Sequence, residues 1–102
     1  MGMADFVAGY DETTVVVDVR EAAEYVAGHV PGAIFAPMSR IALHLAGLPR
    51  DRTVHVVCAS GNRSGSMADL MAAQGIDAVS VDGGTEAWIA AGRPVVTGRE
   101  PR

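Results

Sequence analysis

The chain's only cysteine, Cys58, closes an apolar run and is followed by Ala59-Ser60-Gly61-Asn62-Arg63-Ser64. Small and polar residues after a strand-like segment let the backbone curl and turn several N–H groups toward the sulfur. Arg63, and a helix starting near Ser64, add positive charge beside it. The effect on reactivity is large, because a free thiol with a pKa of about 8.5 is only about 3% ionised at pH 7. The chemistry on offer is nucleophilic attack by a thiolate, with N–H groups stabilising charge on sulfur. A lone cysteine at a strand end is more often a small buried hydrophobe. Gly61-Asn62-Arg63-Ser64 at a helix start tips Cys58 toward a functional reading.

Other polar residues carry more modest expectations. Asp18 at a strand end, with Arg20 and Glu24 just beyond it, is expected to brace the loop from below, since an arginine–carboxylate fork is strong when partly buried. An exposed ion pair of little worth is the competing expectation. His29, in Gly28-His29-Val30-Pro31-Gly32, reads as a hydrogen-bonding turn residue, while His44 and His55 read as structural. Trp88 is expected to pack its helix onto the sheet. With one cysteine and three scattered histidines, neither an internal disulfide nor a zinc-ligand pattern is present.

The elements that must position these residues follow from alternation. β-rich apolar runs exchange with segments of helical spacing, each change marked by Gly or Pro, as in a parallel sheet covered on both faces. The clear strands are 14–19 and 54–58, and the weaker ones 33–36 and 78–81. Helices are expected over 21–27, 40–46, 64–74 and 86–91, each followed by a glycine suited to a left-handed stop: Gly28, Gly47, Gly75 and Gly92. Thr85 is the expected N-cap of the last helix, and Met67, Leu70 and Met71 form the inward stripe of the third. The fold class is therefore α/β, an open parallel sheet of about four to five strands with helices on both faces. Cys58 then lies at the carboxyl end of a strand, where open α/β sheets hold their ligands. Residues 1–13 are the least readable, supplying an edge strand near Phe6-Val7 or a cover for the sheet. Residues 97–102 are expected to fray.

The 102 residues make room for one domain. All eight basic residues are arginine, and the net charge is -4. No basic stripe is present, so nucleic acid is an unsuitable partner. No apolar run approaches the ~20 residues of a membrane span, and no leader pattern opens the chain, so no membrane partner and a cytoplasmic location are expected.

From Val15 to Pro94 the chain resembles the rhodanese family. Asp18-Val19-Arg20, Glu24-Tyr25 and Gly28-His29-Val30-Pro31-Gly32-Ala33 are similar to its first signature. Cys58-Ala59-Ser60-Gly61-Asn62-Arg63 resembles its active-site loop, and Asp82-Gly83-Gly84-Thr85-Glu86-Ala87-Trp88 its last motif. The resemblance implies a sulfurtransferase of the thiosulfate type. Cys58 would take the outer sulfur of a small donor such as thiosulfate and hold it as a persulfide until cyanide or a thiol removes it; an acceptor protein is a further candidate recipient. Ala59, Ser60, Gly61, Asn62 and Arg63 would cradle that sulfur, with Asp18, Arg20, Glu24 and Ser64 in support and no metal or organic cofactor. Ala59 occupies a position where many relatives place a basic side chain, leaving Arg63 as the loop's only charge and thiosulfate a weaker donor. Two other readings stand beside this one. A non-catalytic binding or regulatory module on the same fold is opposed by the presence of Cys58, Gly61 and Arg63. A cysteine phosphatase or arsenate reductase would need one more residue between Cys and Arg, a wider cradle for a tetrahedral anion.

Overall fold

The computed structural model describes residues 1–102. In chain order the elements are helix α1 (Met3–Gly9), strand β1 (Val15–Asp18), helix α2 (Ala22–Ala27) and strand β2 (Ile34–Phe35). Two 3-10 segments, Met38–Leu43 and Leu45–Gly47, lead to strand β3 (Val54–Val57), helix α3 (Asn62–Ala73), strand β4 (Ala78–Ser80) and helix α4 (Gly84–Ala90). The four strands form one sheet in the order β2-β1-β3-β4. All three pairings are parallel, with Asp18 opposite both Phe35 and Val57, and Val56 opposite Ser80. The carboxyl ends of the strands therefore share one edge, and β3 is interior.

Alternation along the strands sends side chains to two cores. Val17, Val19, Val54, Val56 and Cys58 join Ile41, Leu48, Ala68 and Met71 on the face covered by α3 and the 3-10 segments. Val16, Val57 and Val81 join Phe6, Tyr25, Val30 and Trp88 on the face covered by α1, α2 and α4. No helix is long and apolar enough to cross a membrane.

Several sequence expectations are corrected. Of the two expectations for residues 1–13, the cover for the sheet is the one observed and the edge strand is not: residues 3–9 are a helix, because Met3, Phe6, Val7 and Tyr10 recur at helical spacing and lie together on the sheet face. The segment expected as a helix over 40–46 is 3-10, interrupted at Arg40 (φ -134°, ψ 24°). With a rise of about 2.0 Å per residue against about 1.5 Å, 3-10 turns let a short segment span farther between β2 and β3. Gly75 and Gly92 have the left-handed backbone expected of them, whereas Gly28 is extended and Gly47 has no positive φ. Leu70 is exposed, and the inward face of α3 is Ser64, Ala68 and Met71, with Met67 partly buried. Thr85 is not an N-cap: α4 begins two residues earlier than expected, after Gly83. The segment 97–102 is tied down and not frayed, because Gly98 N–H donates to Val26 and Gly32 N–H to the Pro101 carbonyl at 2.8 Å.

Candidate active site

Cys58 follows directly on β3 and has no exposed surface. Ala59, Ser60 and Gly61 then turn the chain into α3, whose N-cap is Gly61, two residues earlier than expected. Gly61 has φ +104°, a conformation that side chains rarely adopt, and its N–H donates to the Cys58 sulfur at 3.0 Å. The other wall is the start of α4. Gly84 has φ +54°, and a Cβ there would stand 2.3 Å from the Cys58 carbonyl and 2.9 Å from that of Ala59. Those two carbonyls accept the N–H groups of Thr85 at 2.8 Å and Glu86 at 3.0 Å. Because N–H and C=O point opposite ways across a trans peptide, tying both carbonyls to α4 turns the following N–H groups away from it.

Burial pushes the Cys58 thiol up, but hydrogen bonds outweigh it and the thiol lies below its ordinary value. The opposing donors are the Ser64 hydroxyl and the backbone N–H groups of Ser64, Gly61 and Arg63. Ser64 is buried, with its oxygen 3.5 Å from the Cys58 sulfur. That oxygen also lies 2.8 Å from the hydroxyl of Ser80 on β4, a residue the sequence reading passed over.

The expected role of the Arg63 side chain is corrected. Its guanidinium is engaged by Glu24 in a two-point fork, with Nη1 donating to Oε1 at 2.8 Å and Nη2 to Oε2 at 2.9 Å. Arg63 offers the sulfur its backbone N–H, while its cation, which also interacts with the charge of Cys58, is paired with Glu24. The hydrogen bonds from that guanidinium hold the Glu24 carboxyl down at about 2. The loop thus presents no uncompensated side-chain charge.

The expected brace divides into two ion pairs. Arg20 donates to both oxygens of Asp18, with Nη2 to Oδ2 at 2.8 Å, and the pair is buried, with side-chain exposures of 8% and 0%. Arg20 also donates to the Gly28 carbonyl at 2.7 Å, fixing the turn that follows α2. Removing one partner of such a pair typically costs about 3–5 kcal/mol, because the other charge stays buried. Glu24 belongs to the second pair and also closes a capping box with Glu21 at the start of α2.

His29 is the turn residue it was expected to be. It stacks on Tyr25 at 3.7 Å, and its ring nitrogens face the carbonyls of Tyr25 at 2.8 Å and Glu100 at 2.9 Å. His55 bonds the Val15 carbonyl from within β3, and His44 lies between the 3-10 segments. Trp88 is fully buried and meets α1 through Phe6 and Tyr10. The two open clefts lie away from Cys58: one of about 520 Å³ between Tyr25, Phe35 and Arg99, and one of about 490 Å³ around Asp51 and His55.

A four-stranded parallel sheet, a cysteine at the end of an interior strand and a loop of N–H donors running into a helix define the rhodanese-like domain family, and the chain belongs to it: the family model matches residues 3–91. Among particular relatives, the thiosulfate sulfurtransferase GlpE of Pseudomonas putida (strain GB-1) is 42% identical over 78 residues, which are 76% of this chain and 71% of that protein. A rhodanese-related protein from Thermoplasma volcanium superposes with a TM-score of 0.88 at 34% identity, covering 96% of this chain and 97% of that one. A rhodanese-like domain protein from Staphylococcus aureus gives 0.80 at 31% identity, covering 95% and 92%.

Proposed function

We propose that the protein is a sulfurtransferase that carries sulfane sulfur as a persulfide on Cys58. The observation that carries this reading is the sulfur of Cys58 facing the Gly61 N–H and the first turn of α3, with the thiol held below its ordinary value by hydrogen bonds. In the first step the thiolate attacks the outer sulfur of a donor such as thiosulfate. A new S–S bond forms, the old one breaks, and sulfite leaves with its electron pair. The persulfide anion receives the N–H bonds that had served the thiolate. In the second step cyanide or an acceptor thiolate attacks the outer sulfur, and Cys58 departs as the thiolate, giving thiocyanate or a new persulfide. Charge is conserved in each step, and neither requires an oxidant or reductant.

Asp18, Arg20 and Glu24 act by position, holding β1, the Gly28 turn and α2 against the loop. Membership of the family and the likeness to a thiosulfate sulfurtransferase support the reaction class. The absence of free charge on the loop favours sulfane donors that are not strongly anionic over thiosulfate. The test is intact-protein mass after exposure to thiosulfate and to an organic hydropersulfide, whose terminal sulfur passes to Cys58 while the organic thiolate leaves. One added sulfur atom is expected, removable by cyanide and absent in Cys58→Ser. An unchanged mass with both donors overturns the proposal.

A further inference from the structure

Ser80 stands on β4 with its hydroxyl oxygen 2.8 Å from that of Ser64, the only side-chain hydrogen bond it makes. Ser64 has one hydroxyl hydrogen and three acceptors near it: the Cys58 sulfur at 3.5 Å, the Gly61 carbonyl at 3.2 Å and the Ser80 oxygen at 2.8 Å. While the sulfur is protonated, its S–H donates to Ser64, and Ser64 spends its own hydrogen on Gly61 or Ser80. An anionic sulfur can only accept, so Ser64 must turn its hydrogen toward it. The lone pairs of Ser64 are then open to the Ser80 O–H, and a hydroxyl that accepts is a better donor.

We propose that Ser80 is a positioning residue for the sulfur chemistry: by donating to Ser64, it commits the Ser64 hydrogen to the anionic sulfur of Cys58. The inference rests on Cys58 being the reactive thiol. The charged groups around it do not supply an alternative. Asp18 of β1 is forked by Arg20, and Arg63 of α3 is forked by Glu24 of α2. Asp82 and Glu86, beside the loop at the start of α4, are exposed, and the Met1 ammonium bonds only the backbone carbonyl of Ser80. None of these side chains hydrogen-bonds either hydroxyl, so the sulfur's side-chain donor is set by an uncharged pair of serines.

The test compares Ser80→Thr with Ser80→Val, which have nearly the same shape and differ in the hydroxyl. The readout is the rate of Cys58 alkylation by iodoacetamide across pH. Ser80→Thr should keep the wild-type profile. Ser80→Val should slow alkylation below the midpoint by about threefold, the effect of weakening one neutral hydrogen bond, and should displace the midpoint upward. In a Ser64→Ala background the two variants should become indistinguishable, because the intermediary is gone. Equal profiles for the two variants with Ser64 present overturn the inference, as does an equal difference with Ser64 removed. Alkylation reads the thiol without any sulfur transfer. The expected profiles without sulfur uptake would therefore sink the persulfide reading and leave the role of Ser80 standing.

Discussion

Replacing Glu24 by glutamine tests the claim that the loop is electrostatically silent. Gln keeps the length of the side chain and can still close the capping box with Glu21. It removes the charge that neutralises Arg63, leaving an uncompensated cation beside the site. A dianion about 7 Å from that guanidinium, at an effective dielectric of about 60, gains roughly 1.6 kcal/mol. The side chains are 30% and 37% exposed, so solvent and salt take part of this. Halving the gain leaves about 0.8 kcal/mol, or about fourfold in rate. The assay is the rate of single-sulfur loading of Cys58 by thiosulfate at low and at high salt, with alkylation of Cys58 by neutral iodoacetamide as control. The expected result is a gain of about fourfold for thiosulfate at low salt that mostly vanishes at high salt. A gain shared by the neutral reagent reports a more reactive thiolate and not steering of the anion. Either that outcome or an unchanged rate in a folded Glu24→Gln protein refutes the reasoning.

The same pair sets a pH dependence of stability. Glu24 is held at about 2 against an ordinary 4.5, so its contribution is present above the unfolded value and is lost as pH falls from 4.5 toward 2. Discounted for exposure the contribution is about 1 kcal/mol, and the urea midpoints of wild type and Glu24→Gln should converge over that window. Ala59→Arg should raise kcat/KM for thiosulfate about tenfold at low salt by placing an unpaired cation on the loop, and an unchanged value would mean that side chain 59 faces away from the donor. Gly84→Ala should displace the loop, since its Cβ would enter the space of the Cys58 carbonyl. Loss of the depressed thiol reactivity profile, with thermal unfolding lowered by several degrees, is the expected result, the latter corresponding to a loss on the order of 1 kcal/mol in a domain of this size.

Legibility in the sequence followed the range of the interactions. Strands β1 and β3 and the Cys58 loop are written in contiguous residues, and their placement is as expected. Helix α1 was legible too, in the spacing of Met3, Phe6, Val7 and Tyr10, but its short length let an edge strand compete. The Arg63–Glu24 fork joins residues 39 positions apart, and nothing in either segment shows that the expected active-site cation is already spent. Ser80 carries no signal at all, being one small polar residue in a three-residue strand whose importance comes from its neighbour across the fold. The tail is similar: Glu100 and Pro101 read as loose ends, yet their carbonyls lie within hydrogen-bond distance of the His29 ring.

Under the proposed function, the tie between the loop and α4 bears on which way sulfur would move most easily. With the Cys58 and Ala59 carbonyls held by Thr85 and Glu86, the loop cannot draw away from α4 without breaking those two hydrogen bonds. Entry is then the demanding half of the cycle, because a donor must thread a narrow tip down to a sulfur with no exposed surface. Exit is different: in the proposed persulfide an S–S bond of about 2 Å would set the transferable atom that much farther from Cys58. An acceptor would have less far to reach than the donor, so even a folded protein could collect the sulfur, provided its thiol sits on a protruding, pliable segment. A rigid carrier of this kind leaves the whole of the conformational adjustment to the molecules on either side of it.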